Sequence, residues 1–327
     1  MTTAKAASTM RGALPFDSSV VAPVRALLAA PEDAVLAIIS AIEGPSYRPL
    51  GAMMTVLSNK DRVGSLSSGC IEADIALQAC TAREAGIPRK ILYGRGSPFI
   101  DIQLPCGGGL EILLLPSPDR AVLSELLEKH DAREPCTLDV NLNDGAMTFG
   151  DHARTVRHDN SLSIRVEPEI FFYVFGKGPE ASTFAALVQS AGYPNLLLSP
   201  DRETLEIAGN SGCPTRHLTS AHYPADLDTD SRTAVTLFFH DHDWEPPILA
   251  AALRTSAFYI GAQGSRNAAE QRIAELGKMG VDSGSIDRLR GPVGLVPSAK
   301  DARTLAVSVL AEVLSVAMLT GSRTTVC

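Results

Sequence analysis

Residues 171–191 constrain the fold more than any other stretch of the chain. FFYVF is a continuous apolar run ending in glycine, as a strand covered on both faces requires. Gly176-Lys177-Gly178-Pro179-Glu180-Ala181 then turns into a helical segment reaching Ala191. This is GxGxxA in the strand–turn–helix setting that gives the pattern meaning. Gly176 permits the tight turn, Gly178 lets a phosphate approach the backbone, and Ala181 allows close packing of helix on strand. Pro179 suits the first helical turn. Further apolar runs at LLLS, AVTLFFH and AFYIGAQG alternate with helical segments, and the chain closes on a long apolar helix. The pattern predicts a Rossmann-like, doubly wound parallel sheet over residues 169–321.

The preceding residues read differently. A short helix over Val20–Ala29 leads to a buried strand at Val35–Ile42 and a turn-rich GPSYRP segment. Strands are expected at Met53–Leu57 and Arg62–Leu66 around an Asn-Lys-Asp turn, then near 89–93, 99–103 and 110–115. Between them, apolar groups at Ile71, Ile75, Ala79 and Ala82 make one stripe of a helix over 71–85, stopped by Gly86. Residues 18–116 therefore form an α+β domain. A helix near 119–130 and the short alternating segments TLDVNL, MTFG and SLSIRVE make residues 117–168 a small β-rich connecting segment, read as a meander. Residues 1–17 show no period and are expected to be a loose arm.

Two glycine–cysteine sites stand out for chemistry. In Ser67-Ser68-Gly69-Cys70-Ile71-Glu72, Cys70 falls at or just before a helix N-terminus, where a thiolate is favoured as ligand or nucleophile. Glu72 and Asp74 suit the helix dipole but oppose thiolate formation, and a small semi-buried cysteine filling a tight turn is the alternative. Cys106 precedes Gly107-Gly108-Gly109, which leaves its sulfur uncrowded. Cys80 lies within the 71–85 helix as packing, Cys136 and Cys213 sit beside prolines in expected loops, and Cys327 ends the chain. No CxxC pair occurs among the six cysteines, so neither a disulfide framework nor a zinc knuckle is indicated and a cytoplasmic location is expected.

In the Rossmann-like part, His240 and His242 leave the third strand at its carboxyl end, over the crevice where open sheets bind ligands. They suit metal ligation, hydrogen bonding to an anion or proton transfer, against a polar loop with one capping histidine. Gly264-Ser265-Arg266 opens a helix and offers a second anion seat, or an ordinary cap. The second strand ends in Ser199-Pro200-Asp201, without the strand-tip acid expected of an NAD ribose site. A net charge of −8 with scattered lysines and arginines argues against nucleic acid and against an anionic membrane surface as partners. The apolar run Leu305–Leu319, interrupted by Glu312, is read as a core helix rather than a membrane span.

Taken in order, GSLSSGCIEADI, CGGG, FGKG, HDHD, YIGAQGSR, GPVGL and LAVSVLAE resemble the XdhC/CoxI family, accessory proteins of xanthine dehydrogenase and related molybdenum hydroxylases. The resemblance covers roughly residues 35–115 and 170–315. It implies a carrier of the molybdenum cofactor (molybdopterin) that protects it during sulfuration by a cysteine desulfurase and inserts it into an apo xanthine dehydrogenase-type hydroxylase. It also implies a homodimer and no turnover chemistry of its own. Cofactor contacts are then expected from Cys70, Glu72, Cys106, Gly107, Gly176, Gly178, His240, His242, Gly264, Ser265 and Arg266, with Cys70 on the molybdenum side. The chain departs from the family pattern at Ser68, Pro179, Ser199-Pro200-Asp201, Glu245 and Thr304. The alternative function is an NAD(P)-dependent oxidoreductase using the GxGxxA crevice.

Overall fold

The structure is a computed structural model and describes residues 20–67, 69, 71–97, 104, 107–240 and 243–322. Cys70, Cys106, His242, the 1–17 arm and the strand expected at 99–103 lie outside the described residues. The chain divides into two compact units, with the division falling between Pro168 and Glu169.

The first unit is built on a five-stranded antiparallel sheet in the order β3-β2-β1-β5-β4, comprising β1 (Val35–Glu43), β2 (Met53–Val56), β3 (Arg62–Gly64), β4 (Arg89–Gly94) and β5 (Gly109–Leu115). β1 is apolar on both faces, because each face has a layer to cover it. Val35, Ala37 and Ile39 join Ile75, Ala79 and Ala82 of helix α2 (Glu72–Ala85; α1 is Ala22–Ala29). Leu36 and Ile38 join Val24 and Leu27 of α1, Leu123 and Leu126 of α3 (Arg120–Asp131), and residues of a second sheet. Burial of one large aliphatic side chain contributes about 1.5–3 kcal/mol, so these two clusters dominate the unit's stability.

The second sheet contains β6 (Cys136–Asn141), β7 (Met147–Gly150), β8 (Val156–Arg157) and β9 (Ser161–Val166). Its order is β7-β6-β9-β8, not the meander expected from sequence. The strands with the inward apolar residues, Leu138 and Val140 on β6 and Leu162 and Ile164 on β9, take the centre, while the shorter β7 and β8 flank them. Residues 117–168 thus share one core with α1 and β1. A polar stitch adds to this at the bulge in β1: Arg157 donates to the Ser40 carbonyl at 2.9 Å and to Glu111 Oε1 at 2.8 Å. Cys136, expected in a loop, instead opens β6 and is buried there.

The second unit is the doubly wound sheet. Its six strands are β10 (Phe171–Gly176), β11 (Asn195–Ser199), β12 (Thr215–His217), β13 (Thr233–Phe238), β14 (Tyr259–Ala262) and β15 (Leu289–Arg290). All are parallel, in the order β12-β11-β10-β13-β14-β15. That is the Rossmann order, with the switch point between β10 and β13. The edge strands β12 and β15 are too short to show a period in sequence. Helices α4 (Pro179–Ser190), α5 (Arg202–Asn210), α6 (Glu245–Ala252), α7 (Arg266–Lys278), α8 (Ser283–Ile286) and α9 (Ala302–Ser322) complete the unit.

α9 is long and apolar enough to cross a membrane by composition. Here Ala306, Val309, Val313 and Val316 are buried in the same cluster as Phe184 and Val188 of α4. Glu312, the break in its apolar run, accepts from the Tyr259 hydroxyl at 3.0 Å and from the Gly294 N–H.

Gly176 is required by space. A methyl group there would lie 2.6 Å from the Phe238 carbonyl oxygen and 2.8 Å from the Phe238 Cβ, on the neighbouring strand. Gly209, in α5, has nothing within 4 Å of the same position. Gly176→Ala is therefore expected to destabilise by about 1–3 kcal/mol, and Gly209→Ala to stabilise by up to about 1 kcal/mol. Urea midpoints of the two variants against the unmodified chain check both signs.

Candidate functional site

In the first unit, β3 ends level with Ala37 of β1 and runs toward the end of the sheet where β1 and β4 finish and β5 begins, and α2 starts at that end. The buried Tyr93 of β4 fixes the helix there by donating its hydroxyl to Asp74 Oδ2 at 2.6 Å. Burial, reinforced by that carboxylate, pushes the Tyr93 phenol far above its ordinary range. Tyr93 pairs with Leu110 and the next pair is Gly94 with Gly109. A methyl group on Gly94 would lie 2.2 Å from the Gly108 carbonyl oxygen, and one on Gly108 would lie 2.2 Å from that of Pro45. These glycines are demanded by close backbone approach. Gly107 differs: nothing lies within 4 Å of its Cβ position, and its φ of +71° is what favours glycine. The helix that follows Cys70 and the glycines that follow Cys106 therefore reach the same end of one sheet.

Glu72 organises that end. Its Oε1 accepts from Ser65 Oγ at 2.9 Å, Leu66 N at 3.1 Å and Ser67 N at 2.8 Å. Its Oε2 accepts from Ser67 Oγ at 2.7 Å, Gly69 N at 2.9 Å and Ile71 N at 3.3 Å. Burial alone would raise this carboxyl, but the bonds from Ser67 and Ser65 outweigh it and hold the pKa at about 2. Both oxygens are occupied by the chain's own loop. Expected from sequence as a cofactor contact, Glu72 is placed here as the residue that shapes the backbone on both sides of Cys70.

The remaining described thiols do not suit ligation. Cys80 Sγ donates to the Ala76 carbonyl within α2 at 3.3 Å. Burial raises the thiols of Cys136 and Cys213, the latter to about 11, so both stay protonated.

In the second unit, the glycine turn offers fewer donors than its sequence implies. The Lys177 N–H donates to the Phe238 carbonyl at 3.2 Å, and the Gly178 N–H donates to Thr204 Oγ1 at 2.8 Å. Pro179 has no N–H. Thr204 is itself held by Asp201, which caps α5 through the Thr204 N–H at 2.9 Å. Ser199, at the tip of β11, is fully buried and accepts from the Asp201 N–H at 3.1 Å. Gly176 and Gly178 thus serve close packing and an internal bond, while Ser199 is buried and Asp201 commits its Oδ2 to capping α5.

His240, at the carboxyl end of β13, has a side chain 68% exposed. Its Nε2 lies 3.2 Å from Gln263 Nε2 and 3.7 Å from Glu180 Oε2. Behind it, the Arg272 guanidinium donates to the Gln263 carbonyl at 2.6 Å and to both oxygens of the buried Glu245. Gly264, Ser265 and Arg266 are exposed, and Ser265 Oγ caps α7 by accepting from the Ala268 N–H at 3.2 Å. Sequence reasoning missed Glu180, Gln263, Thr204 and Arg272. Gln263 stands within the GAQG run and Glu180 within the glycine turn, so position alone was a signal for those two. Thr204 and Arg272 carry none, because their partners are distant in the chain.

An antiparallel sheet with close-packed glycines at one end, followed by a Rossmann unit, defines a two-unit α/β protein. Residues 27–94 match the XdhC and CoxI family, and residues 172–313 match the XdhC Rossmann domain. The chain is 34% identical over 284 residues to the molybdenum cofactor insertion chaperone PaoD of Escherichia coli (strain K12), covering 86% of this chain and 83% of that one. It is 24% identical over 324 residues to a probable xanthine dehydrogenase subunit of Bacillus subtilis (strain 168), covering 88% and 94%. A crystal structure of a xanthine dehydrogenase from Bacillus halodurans has the same fold, with a TM-score of 0.75 over 94% of this chain and 97% of that one at 20% identity. This chain belongs to the XdhC/CoxI family.

The Glu72 carboxyl lies below its ordinary value of 4.5 in the folded chain, so its contribution to stability is complete above about 4.5 and is lost as pH falls through about 2. Glu72→Gln places an amide donor against backbone donors and is expected to destabilise the first unit by about 3 kcal/mol at neutral pH. The difference between the two proteins should shrink across that acid window. Urea midpoints measured from pH 7 downward check it, and a pH-independent difference contradicts it.

Proposed function

We propose that this protein is a carrier that binds the molybdenum cofactor and inserts it into an apo-hydroxylase of the xanthine dehydrogenase type. Family membership and the likeness to PaoD over most of both chains support this reading. The observation that carries it within the chain is the end of the first sheet. Two segments that each contain a cysteine converge there, one of them locked by Glu72, with open space at Gly69 and Gly107. The cargo has a soft, sulfur-rich metal centre, and thiolates are the side chains that suit it.

In this account Cys70 contacts the molybdenum side, and Cys106, next to Gly107, contributes a second thiol to the same edge. Glu72 holds the backbone around Cys70 and does not touch the cargo. Cargo release to a hydroxylase requires contacts weak enough to exchange, which two monodentate thiols on loops provide better than a closed cage. A cysteine desulfurase acting on the bound cargo, a cytoplasmic location and a homodimeric state belong to the same proposal. The GxGxxA turn gives the NAD(P) alternative little support, since its Lys177 and Gly178 donors are spent internally.

Full-length protein incubated anaerobically with molybdenum cofactor and passed over a desalting column is expected to retain molybdenum and pterin fluorescence together. Cys70→Ala is expected to abolish molybdenum retention at a stability cost of about 1 kcal/mol. Cys106→Ala should weaken retention less, and Cys80→Ala should leave it unchanged. Loss of neither signal in Cys70→Ala contradicts the assignment of that thiol, and failure of the unmodified chain to retain either contradicts the carrier reading.

A further inference from the structure

We propose that the crevice of the second unit recognises the amino-oxo pyrimidine edge of a pterin through the carboxylate of Glu180, and not a phosphate. The inference rests on the carrier reading for the identity of the cargo, and on the geometry of the glycine turn for the contact.

A phosphate seat at a Rossmann turn needs outward N–H groups and no competing anion. Here the Lys177 and Gly178 N–H groups are bonded internally, and Pro179 has none. The next residue places a carboxylate in the seat: Glu180 Oε2 lies 3.6 Å from the Cβ position of Gly178. An anion brought to this turn meets a negative charge and few donors. A group that donates two adjacent hydrogen bonds meets the opposite.

Glu180 is the acceptor left available. Among the described residues no group donates a hydrogen bond to its carboxylate, and its side chain is 24% exposed. His240 stands beside it, with Nε2 3.7 Å from Oε2. That nitrogen is engaged otherwise: Gln263 Nε2 lies 3.2 Å from it and 3.5 Å from the Phe239 carbonyl oxygen. The Gln263 side-chain amide thus sits between the His240 ring and the Phe239 carbonyl. The Gln263 backbone is in turn held by Arg272, itself paired with the buried Glu245. Glu245 and Arg272 thus position Gln263 and, through it, the His240 ring.

A partly exposed carboxylate with no donor of its own among the described residues suits a ligand edge with a ring N–H next to an exocyclic amino group. Charge-assisted bidentate hydrogen bonding is the strongest way to read such an edge. The amino-oxo ring of a pterin presents that edge; lumazine, in which a second carbonyl replaces the amino group, does not.

Pterin and lumazine binding to the full-length chain, followed by quenching of ligand fluorescence, tests the assignment. The unmodified chain is expected to bind pterin more tightly than lumazine. Glu180→Gln, a substitution near a helix start that leaves the core untouched, is expected to weaken pterin binding roughly ten- to hundredfold and to erase the preference. A competing titration with inorganic pyrophosphate should displace nothing. Equal binding of the two heterocycles, an unaffected Glu180→Gln, or displacement by pyrophosphate each overturns the proposal. Retention of whole cofactor by a Glu180→Gln chain that has lost no affinity for pterin refutes this contact while leaving the carrier reading standing. Carboxylate-dependent pterin binding without cofactor retention does the reverse.

Discussion

The carboxylate of Glu72 sets the shape of the most chemically distinctive part of this molecule. Six donors from Ser65, Leu66, Ser67, Gly69 and Ile71 converge on its two oxygens. A loop of small residues has little apolar surface with which to order itself, and fixing each residue's backbone costs about 1–2 kcal/mol. Concentrating the loop's polar groups on one buried charge offsets that cost. The helix that Glu72 opens is anchored in turn by Tyr93 through Asp74. Order therefore passes from the sheet to the helix, then to the carboxylate, and last to the loop around Cys70.

The second unit shows the same economy of polar groups. A glycine-rich turn that in outline suits a dinucleotide has its amides drawn inward by Phe238 and Thr204. Asp201 and Ser199 are likewise used to build the start of α5. At the crevice stand the partly exposed Glu180 and the exposed His240, Ser265 and Arg266, with a buried Glu245–Arg272 pair behind His240. Such a pair is weak support for stability in itself, because desolvation of both ions opposes their attraction. Its value here is geometric, since it fixes Gln263.

Much of this was legible in the residues. The FFYVFGKGPEA run announced the Rossmann unit because strand, turn and helix signals there are contiguous. The stripe Ile71, Ile75, Ala79 and Ala82 announced α2, and all four are buried. What escaped was non-local. β12 and β15, three and two residues long, carry no period of their own. The pairing of β6 with β9 across two hairpins is chosen by which strands face the core, a property of the packed unit. Gly178 and Thr204 are 26 residues apart, so the loss of the turn's donor left no trace in the motif. Glu72 reads in sequence as a site residue, yet its partners lie in the loop just before it, a local pattern that resembles the start of many helices.

On the proposed reading, the cargo's metal end meets the end of the first sheet that the Cys70 and Cys106 segments reach. Site-resolved alkylation measures this most directly, with labelling of each cysteine followed by mass spectrometry before and after anaerobic loading with molybdenum cofactor. Cys70 and Cys106 are expected to label quickly in the unloaded chain and slowly in the loaded one, with Cys80 labelling equally in both. Unchanged labelling of Cys70 and Cys106 in a chain shown to hold the cofactor would place the cargo elsewhere and contradict that claim.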